Sequence, residues 1–320
     1  MMNQLRLRER SWTLGITALF LILGIWRSQQ LPHFGSYEIK TIILGAVPIA
    51  LLAMGQSLII IGGGINLAIG AEALLINCLT AKFMNHTSFV HSLLIGILGL
   101  ACSVLVGAIT GWVISISGIA DIVVTLATSF VIVGLAMVIF PIPGGGANIH
   151  FAHLVTGGGK SFVFPLFAIM VPYLVIWVPL YRSRTGISIF AIGSNKDAAF
   201  LSGVDVTRTR IKLYAFGGLF AGLSGIALTC VTLSGSAIIT IANAATLYSV
   251  AASVLGGIAL AGGVGGLFGP ILASFVIYFI PTIMLGYGID PAYSQIIQGA
   301  LTILVVLAGG WLRLRAKRSK

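Results

Sequence analysis

Amide, hydroxyl and carboxyl side chains interrupt several of the long apolar stretches of this sequence. They bring hydrogen-bond donors and acceptors into segments that otherwise carry almost none: Asn66, Glu72, Asn77, Thr125, Ser129, Asn243 and Gln295. Polar groups in apolar surroundings are costly unless they pair internally or face a wet cavity. The chemistry they offer is hydrogen bonding, because the sequence contains no acid–base pair, nucleophile constellation or metal-ligand cluster that would predict catalysis or a bound cofactor.

A glycine-rich break surrounds the first of these side chains. The glycines at 62–64 interrupt an apolar run, which predicts either close helix contact or a broken helix. For Asn66, the sequence favours a cap on the helix that restarts after the glycines. For Glu72, the lining of a cavity stands beside internal pairing or placement near the outer interface. The hydroxyls of Thr125 and Ser129 bond either to their own helix backbone or to a solute.

The composition predicts the elements that position these side chains. Of the 320 residues, 58% are hydrophobic and only 8% are charged, whereas soluble domains carry about 25% charged residues. A soluble enzyme is therefore excluded. A bilayer-spanning helix needs roughly 20 apolar residues, and ten such spans are predicted, at about 12–26, 42–61, 64–81, 92–114, 119–140, 162–180, 212–232, 247–261, 267–285 and 293–311. The predicted fold class is all-α, a polytopic transmembrane helical bundle.

Basic residues predict the orientation of this bundle. Of the 18 Lys and Arg residues, 14 lie in three segments: the N-terminus, a central loop at 182–212 and the C-terminus. Basic loops remain on the cytoplasmic side, so six spans before the central loop and four after it place all three segments and both termini there. The net charge of +11 would suggest nucleic acid if it formed one patch. Because it is divided among three segments, no nucleic-acid partner is predicted.

The central loop is predicted to contain one short helix, at about 196–203. Ser194 or Asn195 is placed to cap its start, and Gly203 is a natural residue for its C-terminal turn. A small capped helix on the cytoplasmic face of a membrane protein is interpreted as a docking element for a protein partner.

Two glycine-rich segments have similar spacing. The run from Gly64 to Gly70 and the run from Gly263 to Gly269 both place two glycines six residues apart ahead of an apolar helix. This is a faint internal repeat. Transporters often bind their substrate near the membrane midplane where such paired broken helices meet.

Five stretches, in the same order, resemble the permease family of bacterial ABC importers for ribose-like sugars. They are GGGINLAIGAEALL, IADIVVTLATSFVIVGLAMVIF, RTGISIFAIGSNKDAAFLSGVDVTRTRIKLYAFGGLFAGLSG, VLGGIALAGGVGGLFGPILASF and QIIQGALTILVVL. The first resembles the family's Gly-Gly-Ile-Asp-Leu-Ser-Val-Gly signature, and the third resembles its central loop almost throughout. The resemblance covers most of the chain from about Ala46 to Leu307.

The resemblance implies that residues 1–320 form a single transmembrane permease domain in the bacterial inner membrane, surrounded by lipid. The short helix would couple to a separate ATPase subunit that holds ATP and Mg²⁺. The coupling residues would be Gly193, Ser194, Asn195, Asp197, Ala198, Ala199 and Gly203. A periplasmic binding protein would deliver the sugar, and a second permease, identical or homologous, would complete the assembly. The amides and hydroxyls named above would suit a neutral polyol.

The sequence departs from the family pattern at four positions. Asn66 stands where an aspartate is usual, Asp121 where an apolar residue or proline is usual, and Ile187 and Val264 where arginines are common. Two alternatives follow. The change at Asn66 would suit a non-identical partner subunit of a heteromeric permease. Glu72 is the one clear intramembrane acid, and it alone motivates an ion-coupled secondary transporter.

Overall fold

The computed structural model describes residues 2–30, 35–159 and 161–289 and six further positions between 293 and 303. The regular secondary structure of these residues is helical. Within these residues there are twelve helices. They are α1 (Met2–Gln30), α2 (Ser36–Ile61), α3 (Ile69–Phe83), α4 (Phe89–Ser117), α5 (Asp121–Ile139), α6 (Ile149–Thr156), α7 (Val163–Arg182), α8 (Arg184–Ser194), α9 (Lys196–Leu201), α10 (Val206–Thr232), α11 (Ile239–Leu255) and α12 (Phe268–Gly286).

Six of these helices are long and apolar enough to cross a membrane: α2, α4, α5, α7, α10 and α12. The all-α bundle is therefore confirmed, whereas the count of ten spans is not. Two of the predicted spans form short helices, α3 and α11, because a glycine-rich segment precedes the first and follows the second. α3 has only 15 residues, or about 22 Å at 1.5 Å per residue, and α11 has 17. Most of the predicted span at 293–311, including Gln295, lies outside the described residues, as does the C-terminal basic segment.

α10 forms the centre of the bundle and packs against α2, α3 and α4. Its Tyr214 and Phe220 are the largest of the fully buried side chains. Gly218 brings α10 and α4 into backbone contact, because a Cβ atom there would collide with the Ser103 carbonyl. The Ser103 hydroxyl in turn donates to the Gly218 carbonyl at 2.6 Å. Small residues of this kind hold membrane helices together through close backbone packing.

The loops lie at two opposite ends of the bundle. One end, called the central-loop end, contains 62–68, 118–120, 183–205 and 256–267; there Gly193 touches both Gly63 and Gly262. At the opposite end, Gly144 and Gly235 form an isolated antiparallel bridge. α1 runs parallel to α12, since Phe20 packs on Phe275 and Phe279 and, further along the chain in both cases, Trp26 donates to the Tyr287 hydroxyl at 3.0 Å. The start of α1 is thus at the central-loop end.

Replacing Gly218 with alanine should destabilise the bundle by about 1–3 kcal/mol, because overpacking against a backbone carbonyl forces helices apart. Gly134→Ala is the matched control: this glycine is also inside a helix, but nothing lies within 4 Å of an added Cβ atom. The control should leave stability unchanged or raise it by up to about 1 kcal/mol through helix propensity. Thermal unfolding of the purified protein in detergent measures both, and equal effects would contradict the packing assigned to Gly218.

Candidate functional site

The chain between α2 and α3, residues 62–68, is not helical and is called the broken segment. Most of its residues are buried or partly buried, and buried backbone amides need partners within the protein. Thr125 of α5 accepts a hydrogen bond from the Leu67 amide at 3.0 Å. Asn66 accepts from the Ala68 amide at 2.8 Å. Just inside α3, the Gly70 amide donates to Thr246 of α11 at 3.1 Å. Three polar side chains thus replace the missing helical bonds.

Asn66 and Glu72 form a buried pair. The Asn66 side-chain amide donates to Glu72 Oε1 at 3.1 Å, and the two residues are 0% and 1% exposed. Glu72 lies in the first turn of α3, where a carboxylate complements the partial positive charge of the helix start. The Glu72 side chain is therefore not solvated, and internal pairing is observed for one oxygen. The other oxygen, Oε2, has no partner among the described residues.

The remaining predicted pathway residues are dispersed. Asn77 is buried, and its side chain donates to Thr229 Oγ1 at 2.9 Å and to the Ser234 carbonyl at 3.0 Å. Ser129 bonds to its own helix, at the Leu126 carbonyl. Asn243 is exposed on α11. The structure therefore gathers Asn66, Glu72 and Thr125 around the broken segment and leaves the other described residues elsewhere.

Gln56, a buried residue of α2, was not predicted as a functional residue from the sequence. Gln56 is 0% exposed, and neither its amide nitrogen nor its amide oxygen has a partner in the described part of the chain. It lies one residue after Gly55, where an added Cβ atom would be 3.2 Å from Ile69, the first residue of α3. The available signal was a single amide in the apolar run from Met54 to Ile61. Gln56 and Glu72 thus offer unused hydrogen-bonding capacity on the two helices that flank the broken segment.

At the central-loop end, three glycine-rich backbones meet without intervening side chains. A Cβ atom on Gly193, near the end of α8, would collide with the Ile61 carbonyl at the end of α2. The Gly263 amide donates to that same carbonyl at 2.8 Å. A Cβ atom on Gly262 would lie 2.9 Å from the Cα of Gly63, and both residues have positive φ. This glycine junction joins the central loop to both glycine-rich segments.

The short helix of the central loop is present as α9. Asn195 caps its start by accepting from the Ala198 amide at 3.0 Å. α9 ends at Leu201, two residues before the predicted 203, because Gly203 adopts a φ of 83°. The Val204 amide bonds back to the Ala199 carbonyl at 3.1 Å, which is typical of a glycine-terminated helix. Ser194, Asp197 and Ala198 are exposed, whereas Ala199 packs inward.

The outward face of α9 is apolar. Phe200 and Leu201 are 68% and 84% exposed, and the sequence analysis included neither in the docking set. Beside them is a groove of about 310 Å³, called the α9 groove, between α9, the end of α4 and the start of α10. It is lined by Ser115, Lys196, Asp197, Phe200, Asp205, Val206, Thr207 and Arg210. Exposed apolar side chains beside a charged groove can seat a protein partner.

Comparison with known proteins gives one family and several relatives. A family model described as branched-chain amino acid transport system / permease component matches residues 39–306. The ribose import permease protein RbsC of Bacillus subtilis (strain 168) is 32% identical over 260 residues, 80% of each chain. RbsC of Escherichia coli (strain K12) is 28% identical over 298 residues, 91% of each chain. The D-allose transport system permease protein AlsC of the same strain is 26% identical over 292 residues, 90% of this chain and 88% of AlsC. No solved structure matches the chain.

Gln56→Met should raise the free energy of unfolding by about 1–2 kcal/mol, because an apolar side chain of similar shape removes two unpaired polar atoms from the core. Asn77→Leu is the contrasting variant: it leaves the former partners of Asn77 unpaired and should destabilise the protein by about 1–3 kcal/mol. Unfolding in detergent micelles distinguishes the two. A loss of stability in Gln56→Met as large as that in Asn77→Leu would mean that Gln56 is paired.

Proposed function

The chain belongs to the family of permease components of branched-chain amino acid transport systems, and from that premise we propose that it carries a sugar or sugar-like molecule through the bacterial inner membrane as the permease of an ATP-driven importer. A periplasmic binding protein delivers the substrate. A separate ATPase subunit binds ATP and Mg²⁺ and supplies the energy. The working unit contains a second permease, identical or homologous.

The observation that carries this proposal is the connection between α9 and the broken segment. α9 presents Phe200 and Leu201 to an external partner. Three residues before α9 begins, Gly193 contacts the backbone at the end of α2. A partner that moves α9 therefore moves the broken segment, which carries Asn66. Binding can drive such a change when the partner favours one conformation of the permease over the other.

The choice of a sugar rests on the relatives and on the polar groups. The relatives are named as ribose and allose permeases. Among the described residues, the surroundings of the broken segment offer the amides of Asn66 and Gln56, the hydroxyl of Thr125 on α5 and one carboxylate, at Glu72. Neutral groups of this kind exchange hydrogen bonds with a polyol. The tight internal bonding of Asn66 and Thr125 describes a closed arrangement, and opening of the pathway frees these groups.

The proposal also includes the orientation of the bundle in the membrane and the internal repeat of the two glycine-rich segments. The central loop and the start of α1 lie at one end of the bundle, and we place that end in the cytoplasm because it carries the basic residues. The two glycine-rich segments act as equivalent halves. α3 begins at Ile69, five residues after Gly64, and α12 begins at Phe268, five residues after Gly263. Ten spans complete the permease when the C-terminal segment is included.

Glu72 supports a second candidate function, ion-coupled secondary transport. Its Oε2 atom is buried without a partner in the described residues, and buried carboxylates are the usual sites of proton or sodium coupling. Uptake of radiolabelled ribose into vesicles that contain the complete assembly separates the two candidates. We expect uptake to stop when ATP is depleted and to persist when ion gradients are collapsed. The reverse pattern would support the second candidate and refute the first.

The docking role of α9 has its own test. Phe200→Ser and Leu201→Ser should each weaken association with the proposed ATPase subunit by roughly 30-fold, as expected when a hot-spot contact of about 2 kcal/mol is lost. Leu233→Asn is the control, an exposed apolar residue at the opposite end of the bundle. Affinity measured in nanodiscs gives the result. Association as tight as in the wild type for both serine variants would contradict docking through α9.

A further inference from the structure

Asp121 connects two helices at the central-loop end. It is the first residue of α5, and one of its oxygens, Oδ1, lies 3.3 Å from Arg210 Nη2 of α10. The other oxygen, Oδ2, accepts a hydrogen bond from the Tyr214 hydroxyl at 2.8 Å. The Asp121 and Arg210 side chains are 13% and 16% exposed, and Tyr214 is fully buried. These three residues are called the Asp121 cluster. Both carboxylate oxygens are thus bound to α10.

The same carboxylate covers the start of the broken segment. A Cβ atom on Gly64 would lie 2.6 Å from Asp121 Oδ2 and 2.8 Å from the Tyr214 hydroxyl, so the chain passes directly beneath the cluster. One turn further along α5, the Thr125 hydroxyl accepts from the Leu67 amide at 3.0 Å. The start of α5, residues 121–125, therefore lies against the broken segment on both sides of Asn66, by close approach at Gly64 and by a hydrogen bond at Leu67.

Arg210 also belongs to the α9 groove. It lines this groove together with Lys196, Asp197 and Phe200. Arg210 therefore lines the surface proposed to seat a partner and also pairs with the carboxylate next to Gly64. The neighbouring pair Arg208–Asp205 differs, since its side chains are 82% and 52% exposed. Exposed ion pairs contribute little, whereas breaking a buried pair leaves an uncompensated charge and has a large effect.

We propose that the Asp121 cluster is the positioning latch by which occupancy of the α9 groove sets the placement of the broken segment. With the groove empty, Arg210 and Tyr214 bind Asp121, and the start of α5 keeps the broken segment in its observed position. A protein element seated in the groove reorients Arg210, releases Asp121 and allows α5 and the broken segment to separate. None of the three residues needs to touch the substrate. The identity of the element that enters the α9 groove depends on the proposed function, whereas the contact between the start of α5 and the broken segment does not.

The test is hydrogen–deuterium exchange of the backbone amides at 64–68, with the full chain in nanodiscs. In the wild type, exchange should be slow in the chain alone and faster when the ATPase subunit and ATP are added. In Asp121→Asn and Arg210→Gln, exchange should be fast, by roughly tenfold or more, whether or not the subunit is present, as expected for a coupling free energy of ordinary size. The double variant should exchange no faster than either single variant, because both remove the same interaction.

Three further variants separate positioning from general damage. Asp121→Glu keeps the charge and should restore slow exchange. Tyr214→Phe keeps the ring in the core and removes only the hydroxyl bond, so it should give an intermediate rate even if the charge variants fail to insert. Glu38→Gln is the matched control. It breaks the part-buried Arg27–Glu38 pair at the opposite end of the bundle, where the side chains are 10% and 22% exposed, and exchange at 64–68 should remain slow.

Failure of the latch and failure of the proposed function give different experimental results. Slow exchange in the chain alone for Asp121→Asn, Arg210→Gln and Tyr214→Phe would overturn the latch and leave the proposed function intact. If the wild-type chain binds no ATPase subunit, the proposed function fails, and the role of the groove fails with it. If exchange is faster in Glu38→Gln by as much as in Asp121→Asn, the effect reflects general loosening of the bundle, and the latch is also overturned.

Discussion

The structure depends on the rule that a backbone interrupted inside an apolar bundle must find its hydrogen bonds in the protein. Leaving a buried amide unsatisfied costs about 1–3 kcal/mol, so the break between α2 and α3 requires side chains that replace the lost partners. Thr125, Thr246 and Asn66 do so. Each comes from a different part of the chain, and the break therefore connects the start of α3 to α5 and α11 through hydrogen bonds as well as through packing.

This rule limits how the polar residues of the bundle can act. A hydroxyl or amide that satisfies the backbone in one arrangement is available to a solute only after the helices shift. In the proposed function, opening of the pathway would exchange the internal hydrogen bonds of the broken segment for others. Gln56 and the free oxygen of Glu72 are exceptions, because they are buried without partners among the described residues. They are the groups with most to gain when the pathway admits a polar molecule.

The glycine junction connects the central loop directly to the start of the broken segment. Backbone contacts between Gly193, the end of α2 and Gly262–Gly263 contain no flexible side chains, so a displacement of α8 and α9 cannot be absorbed by rotamer changes. The Asp121 cluster lies next to this junction and supplies a second, electrostatic connection. The central loop is thus joined to the interior by one steric link and one charged link.

Much of this molecule follows from the sequence alone. The low charge and the long apolar runs determined a membrane-spanning all-α bundle, since these properties need no knowledge of long-range contacts. The cap at Asn195 and the turn at Gly203 determined α9 for the same reason, because a short helix is specified by residues at its own ends. The glycines at 62–64 likewise marked the break.

The tertiary structure decided the features that depend on distant partners. The sequence showed that Asp121 was unusual, but only the approach of α10 gave it Arg210 and Tyr214. The sequence showed polar residues in apolar runs. Only the packing showed that Asn66 and Glu72 pair with each other, whereas Asn77 joins α3 to α10. The sequence also did not distinguish the unpaired Gln56 from its neighbours. Hydrogen bonds between helices depend on which faces meet, and local sequence does not contain that information.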